Sequence, residues 1–230
     1  IGKRWYNEDN REQIHQIILD EKPDFLYVSL PPFSMSKVAI ELSEKFNLPL
    51  ITDMRDAWSL WCSAPYSTRF HYDIVKRLER KLFETSKLII STSEEMTSDF
   101  IEAHKTISIN KFKTIYNGYD DFDMNDSLSK IKNSIYTIGY VGGFYYDPKV
   151  ENLLDEKWYK RKGLKKFYFT PRREYWKYRS PYFFLKALNY LFNQEPSLKE
   201  KVRFEYIGSA PYWLEGMLRE FDLSDNFINH

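Results

Sequence analysis

Among the residues able to do chemistry, Asp53, Arg55 and Asp56 stand out, set in Asp53-Met54-Arg55-Asp56-Ala57-Trp58 directly after the apolar run Leu50-Ile51-Thr52. That run reads as a strand, so the trio falls at its carboxyl edge, where open α/β sheets bind ligands. Two carboxylates flanking a guanidinium can orient hydroxyls or shift one another's protonation, which makes Asp53, Arg55 and Asp56 catalytic candidates. The same trio also suits an ion pair that ties down a loop, since such networks are common away from sites.

Gly142 and Gly143 close the apolar run Ile138-Gly139-Tyr140-Val141. Glycines at a strand end let backbone approach a phosphate or sugar closely, and a following helix can offer its amino end to the anion; a plain tight turn uses the same residues. Arg172, Arg173, Lys177 and Arg179 arrive just before Ser180-Pro181, a helix-start signal. A guanidinium fork beside a helix amino terminus suits a diphosphate, and Arg179, adjacent to the cap, is the best single candidate. The alternative is a solvated basic face. Asn117-Gly118 forms a turn that marks the crossing between two halves of the chain.

The elements that must position these groups alternate. Strands are predicted over Phe25–Leu30, Leu50–Thr52, Lys87–Ser91 and Phe112–Tyr116. Between them lie a helix capped by Ser34 and running to Phe46, one carrying Ile74, Val75, Leu78, Leu82 and Phe83, and one begun by a Thr92/Glu95 capping box. After a polar, acidic stretch the pattern resumes: strand Tyr136–Val141, helix from Ser180-Pro181, strand Val202–Ile207, helix from Pro211 to Phe221 and a strand at Phe227. Repeated alternation predicts an α/β protein with parallel, doubly wound sheets. The expected organisation is an amino-terminal domain 1–117, a linker 118–134 and a carboxyl-terminal domain 135–230 that carries a basic and aromatic insertion over 147–178. A long excursion between a strand and its helix is more often functional than decorative. The chain opens on Ile1 rather than Met and stops inside a strand pattern at Phe227-Ile228-Asn229-His230, so both ends read as cut.

Composition narrows the function classes. A net charge of +1, from 34 basic and 33 acidic residues, supplies no global pull toward polyanions, so nucleic acid is not an expected partner. One cysteine, Cys62, excludes an internal disulfide and fits a reducing, cytoplasmic compartment. No run of about eighteen apolar residues occurs, so any membrane contact is expected to be peripheral. The four histidines have no metal-ligand spacing, and neither a Gly-x-Ser-x-Gly elbow nor a P-loop is present, so no metal or cofactor is expected.

Taken in order, Pro49 to Trp58, Leu88-Ile89-Ile90-Ser91-Thr92-Ser93-Glu94, Ile115 to Asp120, Ile138 to Gly143 and Ser180 to Leu188 resemble family 4 of the nucleotide-sugar-dependent glycosyltransferases. The resemblance implies two Rossmann-like domains facing a cleft (the GT-B arrangement), with an acceptor site mostly on the first and a nucleotide-sugar site mostly on the second. It implies transfer with retention from a UDP or GDP sugar to a glycan or lipid-linked acceptor, as in bacterial surface polysaccharide synthesis. Asn117 and Gly118 match the family's crossing, Gly142 and Gly143 its donor-domain glycine loop, and Arg179 its basic residue before the helix.

Departures from the family are also visible. Its paired glutamates have no counterpart after Gly142; Glu94 and Glu102 share the spacing but stand in the first domain. Phe144 and Tyr145 replace the arginine usual after the glycine loop, which leaves Arg172 or Arg173 as substitutes from the insertion. A sugar-nucleotide epimerase and a non-catalytic glycan- or protein-binding scaffold remain alternatives.

Overall fold

Strands β1 (Leu26–Leu30), β2 (Leu50–Met54), β3 (Ser86–Ser91) and β4 (Phe112–Thr114) run parallel in the order β1-β2-β3-β4. The computed structural model describes residues 8–60, 65–119, 134–172 and 175–230. It divides into two units, Ile1–Asp123 with Phe167–Arg172, and Met124–Lys166 with Arg173–His230. Most of the predicted linker, residues 120–133, lies outside the described residues.

In the first unit, helix α1 (Glu8–Glu21) precedes β1, and α2 (Met35–Phe46), α3 (Arg69–Thr85) and α4 (Glu94–Ala103) connect the strands. Right-handed crossovers between strands in sequential order put their helices on one face of a sheet. The core has this form: Leu30, Leu50, Met54, Ile89 and Phe112 from the strands meet Ala39 and Ile40 of α2, Leu82 and Phe83 of α3, and Phe100 of α4. Each fully buried Leu or Phe stabilises the unit by roughly 1.5–3 kcal/mol. Ile18, Val38 and Leu42 pack α1 onto α2.

Two caps differ from expectation. The side chain that starts α4 is Ser93, accepting from the Met96 amide at 3.2 Å, one residue beyond the predicted Thr92. Ser34 makes no side-chain cap for α2. The buried face of α3 is also rotated from the predicted one, being made by Tyr72, Glu79, Leu82 and Phe83.

In the second unit, β5 (Tyr136–Val141) opens a parallel sheet in which β6 (Val202–Ile207) lies between β5 and β7 (Phe227–Asn229). Helix α5 (Pro148–Asp155) starts the insertion, where none was predicted; Asp147 caps it by accepting from the Lys149 amide at 2.8 Å. Helix α6 (Tyr182–Gln194) crosses from β5 to β6 and α7 (Leu214–Glu220) from β6 to β7. Leu185, Leu188, Phe192, Phe204, Tyr206 and Met217 belong to its core. The protein is therefore α/β with two parallel-sheet units, as the sequence predicts; among the described residues each sheet is wound in one direction, without a reversal of strand order.

The insertion does not stay whole. Phe167–Arg172 joins the first unit, where Tyr66 and Phe169 exchange backbone hydrogen bonds of 2.8 and 3.0 Å and the Arg69 guanidinium lies 4.7 Å above the Phe169 ring.

Candidate functional site

In the first unit, parallel pairing sets Ser29 beside Asp53 near the carboxyl end of β2, with Tyr27 two residues earlier on the same face. The Tyr27 hydroxyl donates to Asp53 Oδ2 at 2.6 Å, the Ser29 hydroxyl donates to it at 3.4 Å, and Arg55 Nη1 lies 3.6 Å away. Asp53 is only 4% exposed, and its other oxygen, Oδ1, is buried with no hydrogen-bond partner among the described residues. An unmet buried acceptor typically costs about 1–3 kcal/mol, so this oxygen favours an incoming donor. The bond to Asp53 and then burial raise the Tyr27 pKa.

The expected trio of Asp53, Arg55 and Asp56 is only partly assembled. Arg55 and Asp53 pair, whereas Asp56 is exposed and makes no ion pair among the described residues. Position along the sequence indicated Asp53 but not Tyr27; alternation on neighbouring strands is the signal that finds both. Asn117 and Gly118 are exposed, and a Cβ at Gly118 would meet nothing within 4 Å.

The loop carrying Arg55 and Asp56 continues to Ser59, whose amide and hydroxyl donate to the Glu79 carboxylate at 2.8 and 2.5 Å. His104 Nε2 pairs with Glu79 Oε1 at 2.8 Å, and all three residues are buried. This Ser, Glu and His grouping is an anchor in the core. The carboxylate stands between the other two groups, so the serine has no adjacent histidine base of the kind nucleophilic catalysis needs.

The second unit holds a cavity of about 550 Å³ lined in part by Gly143, Phe144, Tyr145, Tyr178, Arg179 and Ser180. It begins where β5 ends. Gly142 has φ of +145°, a conformation that side-chain-bearing residues rarely adopt. Its carbonyl accepts from the Tyr206 hydroxyl at 2.9 Å, and that of Gly143 accepts from Tyr140 at 3.1 Å. Phe144 stacks on both tyrosines, 4.9 Å from Tyr140 and 5.0 Å from Tyr206, and these two rings lie 5.9 Å from each other, so the three form a triangular cluster. The carbonyls of the glycine turn are thus engaged, whereas the amides of Gly143, Phe144 and Tyr145 make no hydrogen bond among the described residues. Unpaired successive amides suit an anion.

The opposite wall is the start of α6. Ser180 Oγ accepts from the Tyr182 amide at 3.1 Å, and the Arg179 carbonyl accepts from the Tyr146 amide at 3.2 Å, which fixes the backbone before the helix. Arg179 therefore lines the cavity beside the helix amino terminus, where the dipole and the guanidinium favour the same charge. Trp213 Nε1 braces this region from behind by donating to the Tyr146 carbonyl at 3.0 Å.

The other cations of the predicted set lie elsewhere. Lys177 Nζ sits 4.1 Å from the Tyr182 ring centroid. Arg172 forms a bidentate pair with Asp99 in the first unit, at 2.5 and 2.6 Å, and is not among the residues lining this cavity. Arg173 lies outside the described residues. Gly143 and Arg179 line one cavity, whereas Gly142 is not among its lining residues and is held by Tyr206; Tyr140, Phe144 and Tyr206 are supports that sequence reasoning missed. Period-two spacing, which opposes Tyr140 to Tyr206 across β5 and β6, is the signal that could have found them. No group of three or more His, Cys, Asp or Glu residues able to hold a metal occurs among the described residues. None of their helices is long and apolar enough to cross a membrane.

No protein-family model matches the sequence, and neither does any curated protein. Solved structures do match. One is a co-structure of Staphylococcus aureus MnaA with UDP, at 11% identity and a TM-score of 0.39, covering 94% of this chain and 50% of that one. Another is a Listeria monocytogenes protein assigned as a UDP-N-acetylglucosamine 2-epimerase, at 7% identity and a TM-score of 0.42, covering 94% and 49%. The chain thus spans about half the length of these neighbours.

Proposed function

We propose that the protein is a nucleotide-sugar-dependent glycosyltransferase of the family 4 kind, and that the cavity of the second unit receives the donor's nucleoside diphosphate. The observation that carries this reading is the convergence of the Gly142-Gly143 turn, the unpaired amides of residues 143–145, Arg179 and the amino end of α6 around one cavity of about 550 Å³. When the bond from the sugar's anomeric carbon to the diphosphate breaks, negative charge grows on the departing oxygen. Amides and a guanidinium already in place stabilise that charge without reorganising. Phe144, Tyr145, Tyr178 and Phe184 supply apolar walls for the flat parts of the ligand.

In the first unit, Asp53 Oδ1 is the group we assign to the acceptor. It can accept a hydrogen bond from a sugar hydroxyl and fix that hydroxyl's orientation, with Tyr27 holding the other carboxylate oxygen. The acceptor class is a glycan or a lipid-linked saccharide.

Calorimetry of the full-length protein with UDP, GDP and their sugars tests the donor site. Arg179→Ala is expected to weaken binding about 10- to 100-fold, the worth of a charged hydrogen bond. Absence of nucleotide binding, or binding indifferent to Arg179→Ala, overturns the assignment. Product analysis with and without acceptor then separates transfer from epimerisation: turnover of UDP-N-acetylglucosamine without any acceptor would replace the transferase reading with the epimerase one.

A further inference from the structure

Within the second unit, residues 157–166 carry six cations, Lys157, Lys160, Arg161, Lys162, Lys165 and Lys166, in a chain whose net charge is only +1. No acidic residue falls among them; Asp155 and Glu156 border the segment at its amino end. The same ten residues expose three large apolar side chains: Trp158 is 66% accessible, Tyr159 59% and Leu164 79%. Three exposed large apolar side chains within ten residues, two of them in ring contact, suit an interaction surface.

The segment has a defined shape. Trp158–Lys160 forms one short 3-10 turn and Gly163–Phe167 another. Arg161 clamps the first turn to the end of α5, its guanidinium donating to the carbonyls of Leu154 and Glu156 at 2.9 Å each. Trp158 and Tyr159 meet edge to face at 5.9 Å. Lys157, Lys160, Lys162 and Lys165 are exposed and form no ion pair among the described residues.

We infer that residues 157–166 dock the protein on an anionic lipid bilayer. Two properties favour a bilayer over other polyanions. The apolar side chains are a Trp, a Tyr and a Leu interleaved with lysines, the mixture that settles at the headgroup boundary with rings and Leu in the acyl edge and ammonium groups among the phosphates. The long lysine stems also let their charges reach a flat surface without a shaped groove. The inference does not rest on the nucleotide reading of the cavity.

Flotation of the full chain with vesicles tests it, comparing phosphatidylcholine alone with phosphatidylcholine containing 30% phosphatidylglycerol. Binding is expected only to the anionic vesicles and should fall as salt rises. Each Lys→Ala change at Lys157, Lys160, Lys162 or Lys165 should weaken partitioning about fivefold, and Trp158→Ser with Leu164→Ser about tenfold or more. Arg161 stays intact in every variant because it holds the turn. Circular dichroism confirms that each variant is folded, and binding by the donor-site cavity should be unaffected. Failure to float with anionic vesicles at low salt overturns the inference. So does loss of binding in the lysine variants alone with none in Trp158→Ser/Leu164→Ser, which would mean simple polyanion attraction. Tighter binding to single-stranded RNA than to vesicles, weakened by Trp158→Ser, would assign the surface to nucleic acid instead.

Discussion

After β2, the chain of the first unit is anchored by a fully buried carboxylate; after β5, the chain of the second unit is anchored by tyrosine hydroxyls and stacked rings. Glu79 sits at 0% exposure and must be met on every side, and the Ser59 amide, the Ser59 hydroxyl and His104 meet it. Such an arrangement tolerates little: taking a carboxylate from water costs several kcal/mol, recovered only while all the partners are present. Tyr206 and Tyr140 are neutral, and each hydroxyl is worth about 1 kcal/mol. Their task is narrower, since they engage two carbonyls and leave the neighbouring amides unpaired. The difference separates an anchor that fixes a loop from one that fixes a turn while keeping its donors available to a ligand.

The largest effect should come from breaking the first anchor. Glu79→Ala leaves His104 and the Ser59 amide buried without their acceptor, and should cost about 3–5 kcal/mol in urea unfolding. The nucleotide affinity of the second unit's cavity should not follow. A loss below about 1 kcal/mol would mean that water replaces the carboxylate and that the anchor is not structural.

A smaller effect is expected from the second anchor. A Cβ on Gly208 would stand 2.2 Å from the Gly142 carbonyl oxygen and 2.6 Å from the Tyr206 hydroxyl. Gly208→Ala must therefore displace the glycine turn, at a cost of about 1–3 kcal/mol. Because the turn carries the unpaired amides, nucleotide affinity should fall with stability. Full affinity in a folded Gly208→Ala protein would show that the amides do not contribute to the site.

How far the sequence revealed this contrast depends on the separation of the interacting residues. Strand ends were legible, so Asp53 and the Gly142-Gly143 pair were placed at sheet edges by their neighbours alone. Arg179 was legible because Ser180-Pro181 marks a helix start two residues away. Arg172 was assigned by the same adjacency to the donor side, but it pairs with Asp99, a partner 73 positions earlier. Glu79 was invisible because its role depends on Ser59 and His104, brought together only by packing. A weak sign existed, since Glu79 and Leu82 share a helix face and put a charge among apolar residues.

Alkaline pH should sharpen the comparison with the smallest effect. In the first unit, burial, with the Glu79 carboxylate adding to it, pushes the Tyr66 hydroxyl up to about 12 from its ordinary 10.0. That hydroxyl donates to the Trp58 carbonyl at 2.7 Å, so it braces the same loop as Glu79. The unfolded chain loses this proton first, near pH 10, while the folded chain keeps it until about 12. Its contribution is therefore complete below pH 10 and declines as pH rises through that window, where the unfolded state binds fewer protons. Burial raises Tyr206 as well, so the second unit should weaken in the same direction. Urea midpoints measured from pH 9 to 11.5 should fall, and Tyr66→Phe should flatten part of the slope while lowering the midpoint at pH 9. An unchanged slope in Tyr66→Phe would place the alkaline sensitivity at the other tyrosines whose pKa is raised, Tyr27, Tyr72 and Tyr146 as well as Tyr206 among them.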